Sequence, residues 1–252
     1  MKIIAISDTH GYLPELPQCD VVTICGDVLP LHIQKDYAAS VAWLAGPFQQ
    51  WALNLDCEKV IFIAGNHDFI FEHMYKYGKQ SSTEGDTMRW KSGMDHWQIH
   101  DTLFQFDNIE DPKIVYLCDS TYKYKDKIFW GTPWCPSLKN WAFYGDSDVL
   151  KHNFESIPIE TDVLITHCPP KYMGQGIVHE TNWNYMSDFG CVELQDIIED
   201  KFAPEKDMWV LSGHIHSGKH AVEKYNNIKY RNCSIKDENY EVMYEPFEFE
   251  IK

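Results

Sequence analysis

The sequence of 252 residues is poor in positive charge. It has only two arginines, Arg89 and Arg231, and its 22 lysines and arginines stand against 38 aspartates and glutamates, for a formal net charge of −16 at pH 7. DNA and RNA bind through clustered basic side chains, which neutralise the phosphates. We therefore do not expect extended nucleic acid as a partner of this chain.

Long apolar runs are absent as well. The run near the start, Ile3–Ser7 in MKIIAISDTHG, spans five residues, whereas a membrane-spanning helix needs about 20 and a signal peptide has a longer apolar core. We expect a soluble, cytoplasmic protein without a membrane partner. The sequence does not indicate an oligomeric state.

The cysteines form no CxxC pair, and no segment is rich in proline, glycine or serine. Without a secretion signal, scattered cysteines are typical of reduced and mostly buried thiols, so disulfides and a zinc–cysteine cluster are both disfavoured. The eight are Cys19, Cys25, Cys57, Cys118, Cys135, Cys168, Cys191 and Cys233. Because no linker or internal repeat interrupts the chain, we expect a single domain over residues 1–252.

Six short runs rich in Val, Ile and aromatic residues predict strands that are covered on both faces. They are Lys2–Ser7, Asp20–Cys25, Lys59–Ala64, Lys127–Gly131, Asp162–Thr166 and Met208–Ser212. Helical patterns lie between some of them, and this alternation predicts an α/β layered fold.

The helical patterns and the tail give more detailed expectations. Asp36–Leu55 predicts a helix bent at Gly46–Pro47, and SDVLKHNFESI and CVELQDIIEDKFAPE predict two more, the second ending before Pro204. The tail Ala221–Ile251 predicts paired strands that turn at Asn226–Asn227. Lys76–Asp111 is polar and irregular, which favours a surface excursion over a lid.

Five of the six runs are followed at once by a motif of Asp, Asn and His. The motifs are SDTHG after the first run, GDV after the second, GNHD after the third, THCPP after the fifth and GHIH after the sixth. In open α/β sheets, sites form outside the carboxyl ends of the strands. We therefore expect these side chains to meet in one site.

The residue types indicate a metal site. Two carboxylates, one amide and four imidazoles give seven nitrogen or oxygen ligands without a thiolate, which is too many for one tetrahedral zinc and suits two divalent ions. Asp27, with two oxygens, can bridge both ions. The seven residues are Asp8, His10, Asp27, Asn66, His167, His214 and His216.

The ordered motifs D-x-H, GD, GNHD, H and GHxH resemble those of the calcineurin-type metallophosphoesterase superfamily. They span Asp8 to His216. The resemblance implies a four-layer α/β/β/α sandwich, in which two mixed β-sheets are flanked by helices, and a dinuclear metal site. GTPW, NWAF, THCPP, GCVEL and NCS together resemble the metallophosphoesterase-domain (MPPED) branch.

Matched residue by residue, the resemblance implies one metal held by Asp8, His10 and His216, and a second held by Asn66, His167 and His214, with Asp27 between them. The catalytic histidine of the superfamily falls on His67. For Asp68 two roles stay open: orienting His67, or capping the following helix. The ions are two divalent metals, with manganese favoured over iron, zinc, nickel or cobalt.

The implied reaction is hydrolysis of a small cyclic or linear phosphodiester of the cyclic-nucleotide kind. A hydroxide that bridges the metals attacks phosphorus, and His67 protonates the leaving oxygen as general acid. The four ligand imidazoles must be neutral, so we expect activity to fall with metal release as pH drops through ~6.5.

Other functions fit the sequence less well. Protein Ser/Thr phosphatases carry GDxVDRG and RGNHE where this chain has GDVLPLH and AGNHD. A phosphomonoesterase or a nuclease on the same site is the alternative within the enzyme class, and the charge disfavours the nuclease. A non-catalytic metal-binding scaffold is the alternative of another class, although such proteins tend to have eroded motifs.

Overall fold

The computed structural model describes residues 1–77, 103, 111–136, 138–180, 185–202 and 204–252. The predicted excursion Lys76–Asp111 lies mostly outside these residues, so its two interpretations stay open. Fifteen strands are present in the described part of the chain. In order they are β1 (Lys2–Ile6), β2 (Val21–Ile24), β3 (Lys59–Ile63), β4 (Ile114–Leu117), β5 (Ser120–Tyr124), β6 (Lys127–Thr132), β7 (Cys135–Pro136), β8 (Tyr144–Gly145), β9 (Val163–Thr166), β10 (Ile177–Glu180), β11 (Tyr185–Asp188), β12 (Met208–Ser212), β13 (Glu223–Tyr225), β14 (Ile228–Asn232) and β15 (Phe247–Glu250).

Two mixed sheets dominate the fold. The first has the order β15-β1-β2-β3-β4, in which β1 to β4 are parallel and β15 is antiparallel. The second has the order β13-β14-β12-β9-β6-β5, with a parallel centre and an antiparallel strand at each edge. Each sheet therefore brings several parallel carboxyl ends to one edge.

The helices follow the predicted patterns. α1 (Tyr37–Trp43) continues through a π-helical turn, Leu44–Phe48, into α2 (Gln49–Asn54). The π turn contains Pro47, which has no N–H to donate, so the predicted bend takes the form of a wider helical turn. The remaining helices are α3 (Phe69–Tyr77), α4 (Ser147–Phe154) and α5 (Val192–Lys201).

Successive side chains of a strand face opposite sides of the sheet, so each central strand contributes to two apolar layers. In β1, Ile3 and Ala5 lie in the cluster between the two sheets, whereas Ile4 and Ile6 lie in the cluster under the helices. Because both faces of the central strands are buried, their sequences read as continuous apolar runs. The arrangement is the four-layer α/β/β/α sandwich that the sequence predicts.

The six predicted strands are confirmed to within a residue or so at each end, and the tail supplies three more. The other six described strands were not predicted: β4, β5, β7, β8, β10 and β11. β4 and β5 follow the polar stretch and complete the two sheets at their edges. The tail differs from the prediction: β13 and β14 form the hairpin around Asn226–Asn227, but β15 crosses to the other sheet and pairs with β1. In the described residues no helix is long and apolar enough to cross a membrane.

Candidate metal centre

The predicted ligands lie on tight loops that leave the strands with unusual backbone geometry. Asp8, His10, Asp27 and His214 have φ angles of 55°, 43°, 54° and 67°, a left-handed region that non-glycine residues rarely adopt. Backbone hydrogen bonds from Asp8 N to Gly26 O (3.0 Å) and from His10 N to Asp27 O (2.9 Å) hold the first two loops together. Such strain is typical of functional sites, where the surrounding structure fixes it.

Two of the motif glycines are needed because carboxylates approach the backbone. A Cβ on Gly213 would lie 2.3 Å from Asp8 Oδ2, and a Cβ on Gly65 would lie 2.3 Å from Asp27 Oδ1. Neither distance is possible between real atoms, so each glycine leaves space for a buried carboxylate. The glycines in GHIH and GNHD therefore admit the carboxylates rather than make the loops flexible.

The first predicted ligand group lies together in the structure. The ligand atoms of Asp8, His10 and His216 are all within 4.8 Å of one another. His10 Nε2 and His216 Nε2 are 3.5 Å apart, and His216 Nε2 is 3.3 Å from Asp8 Oδ1. At these distances the three ligand atoms surround one point, which a cation can occupy.

The second predicted group lies beside the first. His167 Nε2 is 2.9 Å from Asn66 Oδ1, and the rings of His167 and His214 have their centroids 5.0 Å apart. Cys135 also lies within 4.8 Å of the ligand nitrogens of His167 and His214. This thiol was not singled out from the sequence, because it follows GTPW, a motif without metal-ligand residues.

Asp27 lies between the two groups. Its Oδ2 is 3.4 Å from His167 Nε2 and 3.9 Å from both His10 Nε2 and His67 Nε2. Its Oδ1 accepts a hydrogen bond of 2.8 Å from the His67 backbone N–H. This position fits a carboxylate that contacts both metals, as the resemblance implies.

The charge balance of the site fits bound cations. Asp8 and Asp27 are 0% and 1% exposed, and within the described ranges their only ion-pair partners are histidines, with no lysine or arginine. Buried carboxylates need compensating positive charge. Divalent metal ions held by these nitrogen and oxygen atoms would supply that charge.

Outer hydrogen bonds fix how the histidines point. His167 Nδ1 donates to Cys25 O (2.7 Å) and His216 Nδ1 donates to Asp237 O (2.8 Å). With Nδ1 carrying the proton, each Nε2 is free to face the centre as a ligand. Ser234 also contributes, because its Oγ donates to Asp8 Oδ2 at 2.6 Å.

The histidines divide into two pairs by pKa. Burial lowers the pKa of His10 to about 4 and that of His214 to about 3. Burial also acts on the other two, but the carboxylates outweigh it: Asp27 raises the pKa of His167 to about 10, and Asp8 raises that of His216 to about 9. Protons should therefore compete with metal ions for His167 and His216 at pH values above the ~6.5 expected from the sequence.

We expect metal binding at pH 7 to release about two protons per chain, from His167 and His216, because a ligand imidazole must be neutral. Since both pKa values lie above 7, metal affinity should rise as pH increases from 7 to 9. It should fall as pH decreases below 7. Calorimetric titration with Mn²⁺ in two buffers of different ionisation enthalpy measures the release. No release at pH 7 would mean that these imidazoles are already neutral.

His67 lies at the edge of the cluster in an aromatic setting. Its Nδ1 is 2.6 Å from Gln34 Oε1, and since a carbonyl oxygen only accepts, Nδ1 carries the proton. Trp141 packs on the ring at a centroid distance of 4.4 Å, and Tyr240 lies 6.3 Å away and also contacts His10. Gln34 and Tyr240 were not found from the sequence, where neither belongs to a motif.

Asp68 directly precedes α3, but in the described structure its carboxylate is hydrogen-bonded neither to the His67 ring nor to an N–H of that helix. Its carboxylate accepts backbone hydrogen bonds from Gly65 (2.8 Å), Leu29 (3.0 Å) and Val28 (3.2 Å). Burial and the nearby Asp27 raise its pKa to about 7. The side chain joins the GDV loop to the GNHD loop, and the hydrogen-bond partner of His67 is Gln34. A catalytic role of Asp68 stays a prediction.

Two of the basic residues near the motifs, Arg231 and Lys219, are engaged with other side chains, whereas Lys171 lines a cleft. Arg231 stacks over Phe247 at 4.6 Å, and Lys219 pairs with Glu223. Lys171 lines a cleft of about 560 Å³ next to His214. The remaining lining residues are Pro136, Leu138, Asp188, Phe189, Gly190, Val192, Glu193 and Ile215.

Comparisons with known proteins match the part of the chain that contains these motifs. Residues 1–218 match the family model described as calcineurin-like phosphoesterase. A UPF0046 protein of Caenorhabditis elegans is 27% identical over 264 residues, with 100% of this chain and 81% of that protein covered. Metallophosphoesterase domain-containing protein 1 of Homo sapiens is 26% identical over 255 residues, with 99% and 71% covered. A crystal structure of the phosphopantetheinyl hydrolase of Mycobacterium tuberculosis aligns with a TM-score of 0.49 at 13% identity, covering 95% of this chain and 90% of that one.

Proposed function

The chain belongs to the calcineurin-like phosphoesterase family, and on that premise we propose that it is a metal-dependent phosphodiesterase acting on a small cyclic or linear phosphodiester. One observation carries the proposal. Seven nitrogen- and oxygen-bearing side chains from five loops, and His67 beside them, converge at the carboxyl ends of strands in both sheets. The resemblance to the metallophosphoesterase-domain branch, which the human relative bears out, favours this kind of substrate.

In this proposal the two ligand groups would hold two divalent ions, and Asp27, which lies between the groups, would be available to both. When bound, such ions act as Lewis acids on phosphoryl oxygens and lower the pKa of bound water to near 7. We favour manganese because the donors are imidazole, carboxylate and amide, without a thiolate among the predicted ligands.

The contribution of the chain itself centres on His67. Gln34 holds Nδ1, so Nε2 is the nitrogen that faces the cluster, 3.9 Å from Asp27 Oδ2. An imidazolium in this position can donate the Nε2 proton to the leaving oxygen. Trp141 covers the ring and keeps water from one of its faces.

The cleft beside His214 supports a small substrate. Its volume of about 560 Å³ lies within the usual range for small-molecule sites, ~300–1,000 Å³. Leu138, Phe189 and Val192 offer apolar surface, and Lys171 is the basic residue among its lining groups. A mononucleotide-sized group fits such a cleft, whereas a polymer needs a basic track that a chain of net charge −16 does not favour.

Hydrolysis assays on protein of known metal content test the function. We expect Mn²⁺-loaded protein to turn over bis(p-nitrophenyl) phosphate and at least one cyclic nucleotide, and to turn over p-nitrophenyl phosphate more slowly. Faster monoester turnover would favour the phosphomonoesterase alternative. Two bound metals with no turnover of any ester would favour the non-catalytic scaffold.

Gln34→Ala should reduce turnover by roughly 10–100-fold, the range for outer partners of site histidines. The change removes the acceptor that holds His67 Nδ1, so the ring can rotate or change tautomer. The loss should be larger for an alkyl leaving group than for p-nitrophenolate, which needs no proton. Gln34→Glu, which keeps an acceptor oxygen, is the matched control and should retain most of the turnover. An equal loss with both leaving groups would assign Gln34 a purely structural role.

A further inference from the structure

Cys19 and Cys57 lie opposite each other where two parallel strands begin. β2 and β3 pair with Val21 beside Lys59, and the same register carried two residues back places Cys19 beside Cys57. Of the two backbone hydrogen bonds that this parallel register requires, the one from Cys19 N to Asp56 O (3.2 Å) is made, whereas Glu58 N donates to Asp20 O (3.0 Å). Neighbouring strands lie ~4.8 Å apart, within the ~4.4–6.8 Å between Cα atoms that a disulfide spans.

The two thiols contact each other at the surface. The two side chains are neighbours, and both line one depression of about 500 Å³. Cys19 is 8% exposed and packs against the apolar cluster, whereas Cys57 is half-buried and reachable from solvent. The rest of the lining is Lys2, Gln18, Asp20, Asp56 and Glu58.

We propose that Cys19 and Cys57 are a redox modification site, at which a hydroperoxide such as H₂O₂ converts the two thiols into a reversible disulfide. Both thiols are free in this structure. The site is independent of the proposed hydrolytic function, because it lies at the amino ends of β2 and β3. The metal centre lies at their carboxyl ends, a strand length of roughly 15 Å away.

The two sulfurs have different roles in the reaction. Cys57 is the attacking thiolate, because the hydrogen bond from Cys19 and the charge of Lys113 lower its pKa. Its sulfur displaces hydroxide from the peroxide and becomes a sulfenic acid, the hydroxide taking up the proton from the thiol to give water. The Cys19 thiol then attacks this sulfur, the S–S bond forms, and a second water leaves. Two thiols are oxidised and one peroxide is reduced, so the balance is two thiols plus H₂O₂ to one disulfide plus two waters.

Two other thiol pairs in the described chain show what distinguishes this one. Cys25 is a neighbour of Cys233, and Cys135 is a neighbour of Cys168. All four of these residues are buried, at no more than 3% exposed. Peroxide reaches a thiolate only where the sulfur is accessible and its pKa is not raised. Neither of these pairs has a sulfur that solvent can reach as it can reach Cys57.

Mass spectrometry of the full chain after treatment with H₂O₂ tests the site. We expect a loss of about 2 Da that dithiothreitol reverses. Cleavage before aspartate separates the cysteines of interest, because Asp20 follows Cys19 directly and Asp56 precedes Cys57. The cross-linked product should therefore join the peptides Asp8–Cys19 and Asp56–His67. The disulfide should also raise the melting temperature of the oxidised protein, because it closes a loop of the unfolded chain.

Matched variants decide the assignment. Cys57→Ser, at a half-buried position that tolerates serine, should abolish the 2 Da loss and the shift in melting temperature. Cys118→Ser, outside every thiol pair described above, should leave both unchanged. A cross-link between other cysteines, or Cys57 oxidised to sulfinic acid while Cys19 remains alkylatable, would overturn the proposal. Turnover of a phosphodiester by Cys57→Ser should match that of the wild type. The redox proposal can therefore be wrong while the proposed hydrolytic function is right, and the reverse.

Discussion

His67→Ala is expected to lower turnover of a phosphodiester with a poor leaving group by ~10²–10⁴-fold, the usual contribution of a general acid, while both metals stay bound. The structure explains why the metals should stay. The contact of residue 67 with Asp27 Oδ1 is made by its backbone N–H, which alanine retains. The variant thus removes the imidazole without releasing the carboxylate that lies between the two ligand groups.

The choice of substrate separates this role from others. An alkyl leaving group needs the proton from His67, and p-nitrophenolate does not, so the alanine variant should be nearly normal with the second. Metal content measured on the same samples is essential, because His67 lies within 4.8 Å of His10 and Asp27 and is placed to act as a ligand instead. Loss of metal together with turnover would identify His67 as a ligand; unchanged turnover of the alkyl ester would remove the acid role.

The pH dependence of turnover is a second test of His67 as general acid. Burial lowers the pKa of His67 below its ordinary value of 6.5. The acid form is therefore lost as pH rises through a value below 6.5, and the acid-dependent part of turnover should decline from there upward. Metal affinity changes in the opposite direction, because His167 and His216 bind protons at neutral pH. A bell-shaped profile with the alkyl ester is the expected combination.

Much of this molecule follows from local sequence patterns. The central strands are buried on both faces, so their apolar runs stand out, and the polar motifs after them mark the loops at the carboxyl edge. β4 and β5 were missed because β4 is short and β5, STYKY, faces solvent at alternate positions at the edge of its sheet. β15 pairs with β1 across almost the whole chain length, a partner that no local pattern specifies.

The site divides in the same way. Its motif residues could be predicted because each carries metal-ligand chemistry next to a strand, and the structure brings them together. Gln34, Ser234 and Tyr240 were not found, since each is a common polar or aromatic residue that acquires its place only through folding. Asp68 shows the converse limit: its motif position was clear, but its three backbone partners depend on how two loops pack.

Asp27→Asn should change metal binding more than His67→Ala does. The amide keeps the shape of the side chain and still accepts from the His67 N–H, but it loses the negative charge that a ligand between two cations supplies. We expect the protein to lose at least one of its two metals and turnover to fall by at least ~10³-fold, which corresponds to the several kcal/mol that metal ions contribute to such reactions. The pKa of His167 should also fall, because Asp27 is the charge that raises it.

Asp119→Asn is the matched control for Asp27→Asn, since Asp119 is a partly buried aspartate with two side-chain partners. It accepts from Thr132 Oγ1 and Trp134 Nε1, both at 2.7 Å, and it belongs to none of the ligand groups described above. An asparagine here cannot accept both bonds, so the melting temperature should fall while both metals and the turnover per folded chain are retained. Metal analysis and thermal unfolding of the two variants then separate loss of a ligand from loss of stability. If Asp27→Asn instead kept two metals per chain and full turnover, the carboxylate would not lie between the ions.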